Sequence, residues 1–132
     1  MAYTILLVDD SITVRQVIAR ALDIASVPLN EIHHAGNGKE ALEILNNHWI
    51  DLAFVDINMP VMNGMELIEQ MRKDGVLAKM PVVVISTDGS TTRVEQLVAK
   101  GVSAYIRKPF TPEKLRAVVE DVLASREGDG HG

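Results

Sequence analysis

The sequence contains no cysteine, no basic residue near its start and no long apolar run. Without cysteine, disulfides, cysteine-ligated metals and thiol catalysis are excluded, which suits a reducing compartment. Apolar runs such as residues 5–8 and 82–85 have the length of β-strands and fall far short of the ~20 residues that a membrane span requires. Asp9 and Asp10 interrupt any apolar leader, so no signal peptide is predicted. We therefore expect a cytoplasmic protein that makes no membrane contact.

The charge balance disfavours nucleic-acid binding. The 13 lysines and arginines are outnumbered by 18 acidic residues, for a net charge of −5, and no stretch is strongly basic. At 132 residues, 47% hydrophobic and 23% charged, the chain has the length and composition of one globular domain. We predict a single domain over residues 1–125. Residues 126–132 carry three glycines and no apolar side chain, and we interpret them as a flexible tail.

Short apolar runs alternate with longer segments of helical period, which is typical of βα units that build a parallel sheet. Strands are predicted at residues 4–8, 31–35, 52–55, 82–85 and 104–106. The second strand has the weakest signal because His33 and His34 are polar. Helices are predicted from an N-cap at Ser11 to before Pro28, around residues 41–45, at 65–72, at 91–100 and after Pro112. The fold class is therefore α/β.

Polar residues follow four of the predicted strands. Asp9 and Asp10 follow the first, Asp56 the third, Ser86 the fourth and Lys108 the fifth. Ligands of open parallel sheets bind outside the carboxyl ends of the strands, so these side chains should gather at one edge.

Crowded carboxylates repel one another unless a divalent cation neutralises them. A ligand set made only of oxygen favours Mg²⁺, which accepts one or two carboxylates and keeps a place for a phosphoryl oxygen. One carboxylate could then attack phosphorus to form an aspartyl phosphate. Lysine would pair with the phosphoryl oxygens, and serine could donate a hydrogen bond to another.

Four motifs resemble those of the receiver domain of two-component signalling, and most closely those of single-domain chemotaxis regulators of the CheY type. They are residues 6–11 (LLVDDS), 56–64 (DINMPVMNG), 83–86 (VVIS) and 105–110 (YIRKPF). The resemblance extends from about residue 4 to residue 123. It implies a flavodoxin-like, doubly wound (βα)5 sheet with strand order 2-1-3-4-5.

The resemblance also implies residue roles. Asp56 would be the phosphoacceptor and a Mg²⁺ ligand, together with Asp10 and the backbone carbonyl of Asn58. Asp9 would act mostly through a metal-bound water, and Lys108 would bind the phosphoryl group. The Lys108–Pro109 peptide bond would be cis.

Signalling in such a protein would follow phosphorylation. Ser86 would be the switch hydroxyl and Tyr105 the aromatic side chain that rotates, which would change the face formed by helix 4, strand 5 and helix 5. The implied partners are a sensor histidine kinase of the CheA type and a downstream target, such as the flagellar motor or another chemotaxis component. The chain would be a monomer or a phosphorylation-dependent dimer, and it would not be a turnover enzyme.

Three positions are expected to tune the phosphoryl lifetime. Thr87 stands where alanine or glycine is usual in the family, and we predict that its bulk slows phosphorylation or hydrolysis. Asn58 and Asp88 occupy the other two rate-tuning positions, and the direction of their effect is left open.

Other functions remain open at this point. The chain could be a phosphate sink or a receiver cut from a larger regulator. A haloacid-dehalogenase-like phosphatase also uses a strand-end aspartate with Mg²⁺, but that family has a second aspartate at the position of Asn58. A pseudo-receiver is disfavoured by the complete acidic, serine and lysine set. Flavin binding is a possibility at the level of fold alone. No phosphate-cradling loop follows the first strand, and the two acidic residues there would repel a phosphate.

Overall fold

The computed structural model describes residues 2–87 and 90–131, with the side chains of Thr91 and residues 125–131 left out of the description. Five strands and five helices alternate along these described residues. The strands are β1 (Tyr3–Val8), β2 (Leu29–Ala35), β3 (Leu52–Val55), β4 (Val82–Ser86) and β5 (Ala104–Arg107). The helices are α1 (Ile12–Ile24), α2 (Gly38–Asn47), α3 (Gly64–Lys73), α4 (Thr91–Ala99) and α5 (Pro112–His131), and a short 3₁₀ helix spans Leu77–Lys79.

All strand pairings in the described residues are parallel, and the sheet has the order β2-β1-β3-β4-β5. The implied flavodoxin-like order is therefore confirmed. The chain runs from β1 outward to β2 on one side, and from β3 outward to β4 and β5 on the other. This reversal opens a crevice between the carboxyl ends of β1 and β3.

The two faces of the sheet bury separate apolar clusters, because successive side chains of a strand point to opposite faces. Leu6, Val8, Ala53 and Val55 pack with residues of α2, α3 and α4. The alternate residues of β1 and β3 pack with residues of α1 and α5; they are Ile5, Leu7, Leu52 and Phe54. Burial on both faces explains why the inner strands are continuous apolar runs.

Polar residues cap the N-termini of the helices that follow the strands. Ser11 caps α1 by accepting a hydrogen bond from the backbone of Val14, as predicted. Asn37 caps α2, and Asn63 forms a capping box with Glu66 at the start of α3. These caps define where each loop at the carboxyl edge of the sheet ends.

Several elements differ in their limits from the sequence prediction, and β2 and α5 are two of them. Strand β2 begins at Leu29, because Leu29 is already paired with Tyr3 of β1. The polar residues that follow Leu29 do not prevent this pairing. Helix α5 extends to His131, through most of the segment predicted as a tail. The domain limits at residue 125 and the flexibility of residues 126–132 stay predictions. Among the described residues, no helix is long and apolar enough to cross a bilayer.

Candidate functional site

The register of the sheet brings two predicted site residues together. Val8 of β1 pairs with Val55 of β3, so the next residues, Asp9 and Asp56, leave the sheet side by side. The backbone N–H of Asp56 donates to the carbonyl of Val8 over 2.9 Å, which ties the two strand ends together. The site therefore lies in the crevice where the strand order reverses.

Asp9, Asp10 and Asp56 form an acidic cluster. One carboxylate oxygen from each lies within 4.8 Å of the others. Asp9 is buried, with 3% of its surface exposed, whereas Asp10 is exposed. The Asp9 carboxylate accepts a hydrogen bond from the backbone N–H of Ser11 over 2.9 Å, and that of Asp56 accepts one from Ile57 over 2.9 Å. These bonds orient two of the three carboxylates.

Lys108 brings a cation from the far side of the sheet. Its Nζ lies 3.3 Å from Asp9 Oδ2 and 4.0 Å from Asp56 Oδ1. The backbone N–H of Lys108 donates to the carbonyl of Ser86 over 2.9 Å, so the end of β5 is tied to the end of β4. The Lys108–Pro109 peptide bond is cis, as the resemblance implied.

Opposing influences act on Asp56. Burial raises the pKa of its carboxyl above the ordinary 3.8, and the Lys108 ammonium opposes that rise. The charges of Asp9 and Asp10 raise this pKa further, whereas the hydrogen bond from Ile57 lowers it. Burial has the largest effect. The Asp56 side chain is 12% exposed, so its charge is costly unless a further cation approaches it.

The donor set fits a hard divalent cation. Three carboxylates face one ammonium, which leaves an excess of two negative charges in a small volume. Oxygen ligands of this kind suit Mg²⁺, which retains several waters at open positions. Exposed Asp10 leaves the cluster accessible from solvent.

The remaining predicted site residues that the structure describes lie in β4, in β5 and in the loops after β3 and β4. Ser86 ends β4 and is fully buried, and Thr87 directly after it is exposed. Asn58 is exposed in the loop after β3. Tyr105 of β5 is half-buried against the α2, α3 and α4 cluster, and its hydroxyl is buried with no hydrogen-bond partner among the described residues. Asp88 lies outside the described residues.

Sequence reasoning assigned no role to Gly64, although it stands inside the motif at residues 56–64. A Cβ there would lie 2.3 Å from the backbone oxygen of Asp56, so no side chain fits without moving the backbone of Asp56. A glycine at the start of a capped helix is the only signal in the sequence. The close approach itself depends on the folded loop.

Comparison with known proteins identifies the class. Residues 5–120 match the family described as the response regulator receiver domain. The chain therefore belongs to the response regulator receiver family. It is 36% identical over 127 residues to a chemotaxis protein CheY homologue of Campylobacter jejuni, and 96% of each chain is covered. It is also 36% identical to chemotaxis protein CheY1 of Helicobacter pylori, with 93% of this chain and 98% of that protein covered.

Solved structures agree with this assignment. The chemotaxis response regulator CheY4 of Vibrio cholerae superposes with a TM-score of 0.82 at 32% identity, covering 93% of this chain and all of that one. A CheY-like receiver domain protein from Methanospirillum hungatei superposes with a TM-score of 0.85 at 26% identity, covering 98% of this chain and 99% of that one. The resemblance drawn from the four motifs is thus confirmed.

Proposed function

We propose that this chain is a signalling switch that accepts a phosphoryl group on Asp56 in a Mg²⁺-dependent reaction, with a histidine kinase as donor. The observation that carries the proposal is the close grouping of Asp9, Asp10 and Asp56 beside Lys108. Membership of the receiver family supports it. The proposal includes a cytoplasmic location, a CheA-type kinase and a target such as the flagellar motor.

The transfer step balances as an in-line displacement at phosphorus. An Asp56 carboxylate oxygen attacks the phosphorus of a phosphohistidine, and the P–N bond breaks with its electron pair on the imidazole nitrogen. The imidazole leaves neutral if its other ring nitrogen holds a proton. Lys108, 4.0 Å from Asp56, is close enough to pair with a phosphoryl oxygen. Mg²⁺, when bound, neutralises charge on the carboxylates and the phosphoryl group.

The response would pass through the ends of β4 and β5. Ser86 is buried at the end of β4, and its carbonyl accepts from the Lys108 backbone, so a pull on either side chain acts on both strand ends. Tyr105 lies on β5 opposite Val84, two residues before Ser86. A shift at these positions would alter the face formed by α4, β5 and α5. Rate tuning by Thr87, Asn58 and Asp88 remains part of the proposal.

Phosphorylation is tested with acetyl phosphate and Mg²⁺, measured by intact-protein mass spectrometry. We expect the parent to gain one phosphoryl group and Asp56→Asn to gain none. Asp23→Asn is the matched control, because Asp23 is an exposed aspartate of α1 away from the cluster. Equal labelling of Asp56→Asn and the parent would contradict the proposal. Repeated turnover of a generic phosphomonoester would favour the haloacid-dehalogenase-like alternative.

The switch is tested with beryllofluoride and Mg²⁺, followed by NMR of the backbone amides. We expect shifts at Ser86 and across the face formed by α4, β5 and α5. Changes confined to the surroundings of Asp56 would argue for a phosphate sink without a conformational output. Sedimentation of the same samples distinguishes a monomer from a phosphorylation-dependent dimer.

A further inference from the structure

The loop between β3 and α3 contains a strained turn. Val61 has a φ of 67°, and the backbone N–H of Met62 donates to the carbonyl of Pro60 over 2.7 Å. A three-residue turn with positive φ at its centre is the rare, strained form of the γ-turn. Positive φ is especially unfavourable for a β-branched residue. The Val61 side chain is 76% exposed, so its own packing does little to hold the turn.

Met62 restrains the strained turn by packing on the start of α2. Its carbonyl accepts a hydrogen bond from the backbone N–H of Gly38 over 2.9 Å. A Cβ added to Gly38 would lie 2.7 Å from Met62 Cγ and 2.8 Å from Sδ, so the thioether side chain packs directly on the glycine backbone. We call this pair of interactions the Met62–Gly38 contact. It anchors the middle of the loop to a capped helix.

The same loop is closed on the phosphoacceptor. The backbone N–H of Gly64 donates to the carbonyl of Ile57 over 2.9 Å, and Gly64 lies against the backbone of Asp56. The segment from Asn58 to Asn63, which the Gly64–Ile57 hydrogen bond closes into a short loop, contains Met62. Because this closed loop is short, a displacement of Met62 also displaces the backbone at Asp56 and Asn58.

We propose that Met62 is a positioning residue of the acidic cluster: through the Met62–Gly38 contact it holds the strained loop in the conformation that Mg²⁺ binding requires. The inference rests on the proposed function, since it assumes that Asp9, Asp10 and Asp56 bind Mg²⁺. Met62 itself offers no oxygen ligand from its side chain. It acts through the backbone of the loop.

The test is the Mg²⁺ dissociation constant of the unphosphorylated protein, measured by isothermal titration calorimetry at constant ionic strength. We expect Met62→Ala to weaken Mg²⁺ binding by roughly 10- to 100-fold, the range typical for groups that orient metal ligands. Met62→Leu keeps the volume of the side chain and should retain most of the affinity. Met80→Ala is the matched control. Met80 is another half-buried methionine of the same apolar cluster, but it precedes β4 at the opposite edge of the sheet.

A second variant tests whether the contact itself is responsible. Gly38→Ala should also weaken Mg²⁺ binding, because the added methyl group displaces Met62. The double variant Gly38→Ala/Met62→Ala should bind no more weakly than Met62→Ala alone, since both changes remove one contact. If Met62→Ala does not fold, Gly38→Ala carries the same prediction.

The outcomes separate this inference from the proposed function. Parental Mg²⁺ affinity in Met62→Ala, or an equal loss of affinity in Met80→Ala, would overturn the positioning role alone. Additive losses in the double variant would do the same. A parent that binds no Mg²⁺ would overturn the proposed function and this inference with it.

Discussion

At the scale of single residues, the charged carboxylate of Asp56 destabilises the folded protein in the absence of metal. Its carboxyl is largely buried, and two further carboxylates lie within 4.8 Å, so its charged form is disfavoured despite Lys108. A raised pKa in the folded state means that the folded protein binds more protons than the unfolded chain above the ordinary value of 3.8. Stability is therefore lost as the pH rises through the pKa of the folded state.

We predict that Asp56→Asn stabilises the metal-free protein at pH 7, by a few degrees in Tm or about 1 kcal/mol. The amide removes the buried charge and its repulsion from Asp9 and Asp10. The gain should narrow as the pH falls and should vanish below the ordinary pKa of 3.8, where the parent carboxyl is protonated in both the folded and the unfolded state. Thermal unfolding of both proteins across pH, with EDTA present, checks this. A gain that is constant with pH would contradict the electrostatic explanation.

At the scale of secondary-structure elements, Arg72 joins α3 to two other segments. Its Nη1 donates to the carbonyl of Ala78 over 2.8 Å, in the 3₁₀ helix before β4. Its Nε donates to the backbone carbonyl of Lys100 over 3.0 Å and its Nη2 to that of Gly101 over 2.9 Å, both after α4. Burial lowers the pKa of Arg72, yet the guanidinium stays charged at neutral pH. One side chain thus fixes the end of α4 that lies far from the acidic cluster.

We predict that Arg72→Met destabilises the protein by about 2–4 kcal/mol, because several partly buried carbonyls lose their donor. Arg72→Lys should recover only part of this, since an ammonium lacks the planar fork of donors. Urea unfolding measures the loss. Lys73→Met is the control, because Lys73 is the exposed neighbour on the same helix. A similar loss in both methionine variants would show that the carbonyl contacts are not the cause.

At the scale of the whole molecule, the acidic cluster links metal binding to folding. Asp9, Asp10 and Asp56 come together only when β1 and β3 pair, so Mg²⁺ should bind the folded chain and hardly bind the unfolded one. Ligand that binds only the folded state stabilises it by mass action. The two halves of the crevice are thereby held together.

We predict that Mg²⁺ at 100 times its Kd stabilises the parent by about 2.7 kcal/mol, and that EDTA reverses this. Denaturant unfolding with NaCl at matched ionic strength separates the effect from general screening of the net charge of −5. Asp10→Asn should lose most of the gain, whereas Asp23→Asn should keep it. Equal stabilisation of both variants would place the bound metal elsewhere.

Much of the fold was predictable because local signals and global topology agree. The apolar runs of β1, β3 and β4 are buried on both faces, and polar caps such as Ser11 mark where a helix begins. The limits of β2 and α5 were less predictable. Strand β2 is held by pairing with β1 more than by its own residues, and the composition of residues 126–131 disfavours the helix that forms there.

The sequence alone predicted which residues form the site, since strand-end residues of a parallel sheet meet at its carboxyl edge. It named Asp9, Asp10, Asp56, Ser86 and Lys108 without any coordinates. Only the tertiary structure decided how they are held. The register that sets Asp9 beside Asp56 and the Met62–Gly38 contact both join segments far apart in the chain. Such contacts depend on packing between elements, which no local pattern of residues specifies.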